Sequence, residues 1–166
     1  MGTAIQKITL SFSVLMACAI SPPASANKLL KCSTGELLVG QKQVGTANYY
    51  AENCAQTWQG QSMQMDFAYS HNIPEWAFKR AATHFLKKNI NGYTESSALH
   101  QVTALYRPVK KGDFYRLNYV HSSKTLVLSL NQRVLGQVQD AQAQQYFNIW
   151  LGKVPFSAKL KQQLLN

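Results

Sequence analysis

At 166 residues the chain has the length of one domain. Its 46% hydrophobic and 11% aromatic content supplies a core and excludes a disordered or low-complexity protein. Lys and Arg outnumber Asp and Glu by 17 to 7, for a net charge of +10. The basic residues occur as scattered singles and pairs, such as Lys87-Lys88 and Lys110-Lys111, without the clustered, aromatic-interleaved pattern of a nucleic-acid surface, so nucleic acid is not an expected partner.

The chain opens on an uncharged apolar run, Ile8 to Ile20, too short to span a bilayer. Ser21-Pro22-Pro23 ends it, and Ala24-Ser25-Ala26 has the small-x-small pattern of a signal peptidase site. Residues 1–26 therefore read as a secretory signal peptide cleaved after Ala26, and 27–166 as one mature domain, periplasmic or secreted. The alternative is a lipoprotein, because Leu15-Met16-Ala17-Cys18 resembles a lipobox and would anchor the chain through Cys18. No transmembrane span is expected. Once Cys18 leaves with the leader, Cys32 and Cys54 remain as an even pair in an oxidising compartment. Neither CxxC spacing nor a neighbouring His marks them for redox or metal chemistry, so they are expected to form a structural disulfide.

Along the mature chain, KLLKCSTGELLVG reads as a strand, a turn at Ser33-Thr34-Gly35, and a second strand. TANYYAENCAQTW carries no clear period. Met63, Met65, Phe67 and Tyr69 alternate with smaller or polar residues, as in a half-buried strand. The period then changes: Phe78, Ala81, Ala82, Phe85 and Leu86 form the stripe of an amphipathic helix whose first turn admits Pro74. Thr94 is placed to cap a second helix with the stripe Ala98, Leu99, Val102, Leu105 and Tyr106, and Pro108 ends it.

From Phe114 the period returns to two. Tyr115, Leu117 and Tyr119 lie on one face and Arg116 on the other. Strands around Leu126–Leu130 and Arg133–Val138 complete an antiparallel meander, joined by a two-residue turn at Asn131-Gln132. Asp140 is placed to cap a helix with the stripe Ala143, Phe147, Trp150 and Leu151, ended by Gly152 at the C′ position. Ser157 caps a last helix bearing Leu160 and Leu164. The fold class is α+β: an open-faced antiparallel sheet packed against a layer of helices.

From Met63 onward, the strand MQMDFAY, the segment HNIPEWAF with its helix, Val109–Asp113 (VKKGD), Ile149–Pro155 (IWLGKVP) and Leu160–Leu165 together resemble the exported bacterial chalcone isomerase-like domains. Asn131-Gln132 departs from the Asn-Gly often found at that turn. The resemblance implies a large sheet curled against helices. It also implies one of two functions: cofactor-free closure of a chalcone to a flavanone, as in plant enzymes, or fatty-acid holding in the cleft between sheet and helices, as in relatives without that activity.

The enzyme needs a cation, typically arginine, in the N-terminal strands to hold a phenolate, with hydroxyl or amide groups around the developing enolate. Between Asn27 and Tyr69 the only cations are Lys28, Lys31 and Lys42. None of the enzyme's catalytic positions maps onto this chain, so catalytic residues are left unassigned. His71, His84, His100 and His121 lack metal-ligand spacing, no GxSxG elbow is present, and no cofactor or metal is expected. Arg116 is the candidate for an anionic ligand head, with Tyr115 or Tyr119 as hydroxyl partner and Lys42 as the cation where the enzyme's arginine would stand.

The expected function is therefore a non-catalytic exported domain that binds a small apolar or carboxylated, fatty-acid-like ligand or an envelope partner. The alternatives are an isomerase acting on a chalcone-like enone, and a structural envelope protein with no ligand.

Overall fold

Six strands follow one another in space as they do in the chain: β1 (Leu30–Val39), β2 (Lys42–Ala51), β3 (Met63–Tyr69), β4 (Phe114–Val120), β5 (Thr125–Leu130) and β6 (Arg133–Gln139). Every neighbouring pair is antiparallel. The computed structural model describes residues 28–166. The expected signal peptide with its cleavage site after Ala26, and Cys18 of the alternative lipobox, lie outside the described residues.

Between β3 and β4 the chain leaves the sheet to form α1 (Glu75–Asn89) and α2 (Ala98–Ala104). After β6 a 3₁₀ turn (Ala143–Phe147) runs directly into α3 (Asn148–Leu151), and α4 (Ala158–Leu165) closes the fold. Tyr115, Leu117, Tyr119, Leu126 and Leu128 all turn inward and are essentially inaccessible. Their alternating partners Arg116, Asn118 and Val127 occupy the other face and stay partly exposed. One side of the sheet thus carries the core beneath the helices, and the other meets solvent. No helix among the described residues is long and apolar enough to cross a membrane.

Residues 30–39 form one strand, not two strands about a Ser33-Thr34-Gly35 turn. A Cβ on Gly35 would sit 2.6 Å from Leu160 Cδ1 and 3.2 Å from Gln163 Cβ, so the glycine admits α4 against β1. α4 is fastened there by Ser33 Oγ, which donates to Leu164 O at 2.7 Å, and by Gln163 Oε1, which accepts from the Glu36 N–H at 2.9 Å. The turn lies instead at Gly40, whose φ is +61°. The unreadable stretch after it is β2, where Ala47, Tyr49 and Ala51 alternate inward.

Ser97 rather than Thr94 caps α2, and Ser157 caps α4 by accepting from the Leu160 N–H. Asn131 and Gln132 both have positive φ, as a two-residue hairpin turn requires. Gly152 is extended, with φ −72°, so it is not a left-handed C′ glycine. It is needed for closeness: a Cβ there would lie 2.5 Å from both Asn148 O and Asn89 Oδ1. Asn89 binds both Val154 N and Val154 O at 2.8 Å, which ties the end of α1 to the loop after α3.

Cys32 and Cys54 are bonded, with Cα atoms 5.3 Å apart. The bond joins the start of β1 to the loop after β2.

Candidate functional site

Strand β3 ends at Tyr69, where the VKKGD segment is stitched to it. The Gly112 N–H donates to Tyr69 O at 2.8 Å, and the Tyr69 N–H donates to Asp113 O at 3.0 Å. Asp113 is a turn residue: its carboxylate accepts from Lys110 N at 2.7 Å and Asn131 Nδ2 at 2.8 Å, bonds that hold its pKa below the ordinary value. These bonds fix where Tyr69 enters the space beneath α1.

That space is a cavity between α1, the inner sheet face and the α3–α4 connection. β1 and β2 contribute Leu37, Val39 and Val44; β3 contributes Phe67 and Tyr69. α1 contributes Ala77, Phe78, Ala81 and Ala82, and Trp150 and Phe156 close the far side. It leaves about 110 Å³ for the centres of water-sized molecules, several times the roughly 10–15 Å³ that one water needs. Ala77 and Ala81, one turn apart on α1, leave room there because they carry only a methyl group. Val39, Ala77, Ala81 and Phe156 are partly or fully exposed, so this rim is open to solvent.

The wall is aromatic. Trp150 lies 4.7 Å from Phe67 between ring centroids, and Phe78 stacks on Tyr106 at 5.3 Å. Tyr115 meets Tyr106 at 5.3 Å, Phe78 at 5.5 Å and Tyr69 at 6.1 Å, each edge to face. No charged side chain lines the cavity. Its polar atoms are hydroxyls and one indole N–H. The Tyr115 hydroxyl donates to Arg107 O at 2.9 Å and accepts from Arg107 N at 2.8 Å, so it is used up in holding the chain that leads from α2 into β4. Burial raises its pKa, an effect that the Arg107 bonds oppose.

Tyr106 is pushed up by burial as well, an effect that the neighbouring Tyr146 opposes. Tyr69 is raised well above its ordinary value, first by burial and then by the neighbouring Tyr106 and Tyr115. All three are neutral phenols at physiological pH. The lining offers no nucleophile, general base or phenolate-holding cation; it can hold apolar surface and donate hydrogen bonds.

The four candidate residues do not come together. Tyr115 lines the cavity. Tyr119 is buried on the same sheet face but does not reach the cavity wall. Lys42 is exposed at the start of β2, directly opposite the rim residue Val39. Arg116 stands on the solvent face, where its Nε and Nη2 bind Asp66 Oδ1 and Oδ2 at 2.8 and 2.9 Å. Among the described residues no three His, Cys, Asp or Glu side chains gather as a metal site. Sequence reasoning did not single out Tyr69, Trp150, Ala77 or Ala81 as site residues. The available signal was the pair of alanines flanking a stripe of large residues, which marks a gap under a helix.

A family model described as chalcone isomerase-like matches residues 42–166. It begins well before Met63, where the recognisable motifs start. Among solved structures, 35 chains match significantly. One is the fatty-acid binding protein of Arabidopsis thaliana, with a TM-score of 0.65 and 15% identity over 87% of this chain and 90% of that one. At that identity the likeness shows the fold. No curated protein sequence matches significantly. With the family model spanning β2 to the last helix, and the open sheet and helical layer in place, this chain is a member of the chalcone isomerase-like family.

Proposed function

We propose that this protein is an exported, non-catalytic member of its family that holds a small apolar, fatty-acid-like molecule between α1 and the sheet. The observation that carries this reading is the cavity itself: an apolar, rim-open space with no charged side chain in its wall. A cavity lined this way gains by receiving apolar surface. The fatty-acid binding function named for the Arabidopsis neighbour supports the same ligand class. Export is supported by the apolar leader ending at Ala26 and by the Cys32–Cys54 bond, which belongs in an oxidising compartment.

The lining supports the non-catalytic part of this reading. Cyclisation develops negative charge on the substrate, and a site without a positioned donor for that charge loses about 10²–10³ in rate for each donor missing. Lys42, the register partner of the rim residue Val39, is a flexible point charge outside the wall.

The test uses the purified mature protein with the uncharged fluorophore N-phenyl-1-naphthylamine. Saturable binding at one site is expected, and Ala81→Trp, which fills the rim, should abolish it. Chalcone absorbance should decay at the spontaneous rate in the presence of protein. No saturable binding, or binding indifferent to Ala81→Trp, would point instead to a structural protein without a ligand. Cyclisation above the spontaneous rate would restore the isomerase.

A further inference from the structure

Two hydrogen-bond donors in the cavity wall have no partner. Tyr69 is 7% exposed and its hydroxyl makes no hydrogen bond among the described residues. Trp150 is 8% exposed and its indole N–H is likewise unpaired. Neither atom is sealed: among the described residues, the one fully enclosed side-chain polar atom without a partner is the Tyr49 hydroxyl. Both side chains form part of the cavity wall. Of the other phenols there, Tyr115 is already engaged with Arg107. A buried donor left unmatched costs free energy, so the pair is a place for an acceptor.

What kind of acceptor is decided by what is missing. A carboxylate carried into this wall would lose its water and meet no cation, and two neutral donors do not offset the burial of a full charge. A carbonyl, ester or hydroxyl oxygen has no such penalty and accepts from either group. Building on the proposed apolar-ligand site, we infer that the natural ligand enters with an uncharged oxygen-bearing end. It is a medium-chain ketone, ester or alcohol, or the un-ionised form of an acid, with that oxygen accepting from Tyr69 Oη and Trp150 Nε1. A free fatty-acid anion binds, if at all, with its carboxylate left at the rim.

The experiment is displacement of N-phenyl-1-naphthylamine by 2-undecanone and by decanoate, at a mildly alkaline pH where the acid is ionised. The ketone is expected to displace at a concentration at least about tenfold lower than decanoate. Tyr69→Phe should weaken the ketone by about fivefold, the order expected for one neutral hydrogen bond, and leave decanoate unchanged. With wild-type protein alone, decanoate should bind more tightly as the pH falls through its own pKa, while the ketone shows no such change. Decanoate binding as well as or better than the ketone when ionised, or a Tyr69→Phe protein with unaltered ketone affinity, would overturn the inference while leaving the apolar site standing. Failure of the fluorophore itself to bind would instead remove the site on which the inference rests.

Discussion

Arg116 and Asp66 face each other across β3 and β4 as direct register partners, and the guanidinium grips the carboxylate with two parallel hydrogen bonds of 2.8 and 2.9 Å. The pair lies on the sheet face away from the helices. Asp66 is nearly enclosed, with 3% of its side chain exposed, whereas Arg116 keeps 44%. Gln64 Nε2 adds a third bond to Asp66 Oδ1, at 2.9 Å. The arginine therefore satisfies an enclosed carboxylate and is not available to a ligand under α1.

Arg116→Ala should accordingly destabilise the fold by about 1–3 kcal/mol, because it leaves a desolvated carboxylate short of its main partner. The affinity for an apolar fluorophore should not change. Urea unfolding and fluorophore titration of the same variant check both halves. A stable variant that has lost ligand binding would place Arg116 in the site after all.

The hydroxyl of Tyr49 is fully enclosed and without a partner. Burial pushes its pKa up to about 12. Tyr49→Phe removes the unpaired atom and keeps the ring, so it should raise stability by about 1 kcal/mol. Chemical unfolding of the variant decides this. A loss of stability would show that the hydroxyl has a partner in solution.

The buried phenols also set an alkaline limit. Tyr49 and Tyr69 both have raised pKa values in the fold, while an unfolded chain ionises its tyrosines near their ordinary value of 10.0. Above that pH the unfolded state binds fewer protons than the native state, so stability falls as pH rises. Below it these groups contribute their full stabilisation and no pH dependence. Phenolate absorbance and circular dichroism followed together on an alkaline titration should show these tyrosines ionising only as the structure is lost. Their ionisation at an ordinary pKa in folded protein would contradict the burial.

Cys32 and Cys54 are 22 positions apart, and closing a loop of that size is worth about 3 kcal/mol in the chain-entropy model. The Cys32→Ala/Cys54→Ala double variant should lose stability on that order and retain ligand affinity. The bond anchors the start of β1, whereas the cavity uses Leu37 and Val39 at its other end. Thermal unfolding and fluorophore titration report the two effects separately. Loss of affinity in a folded double variant would mean that the bridge shapes the site.

Much of the fold was legible because burial writes a period into the chain. The two-residue alternation of Met63 to Tyr69 and of Tyr115 to Tyr119, and the helical stripe from Phe78 to Leu86, each locate one element and its inner face without reference to any other. β1 was misread for the opposite reason. Ser33-Thr34-Gly35 has local turn chemistry, but Gly35 answers to Leu160, far away in sequence, which no local window contains. Gly152 is similar: its position looked like a helix-ending glycine, but its constraint is the approach of Asn89 from α1.

The site was less legible than the fold. Tyr115 could be picked out as an inward tyrosine, and the sequence placed Arg116 on the opposite face without revealing that Asp66 would claim it. Tyr69 was visible as a strand residue, yet its free hydroxyl is a property of what surrounds it. That becomes apparent only when Tyr115 is seen to have partners of its own.

The most direct measurement of ligand holding beneath α1 is contact quenching of Trp150. Trp58→Phe and Trp76→Phe together leave Trp150 as the sole indole in the described domain. A bromoalkane of medium chain length quenches an indole only at close contact. Saturable quenching of Trp150, relieved by 2-undecanone and abolished by Ala81→Phe, which fills the rim without adding an indole, is the result expected of a ligand held against the cavity wall. Unchanged Trp150 emission at bromoalkane concentrations that displace the fluorophore would contradict a site between α1 and the sheet.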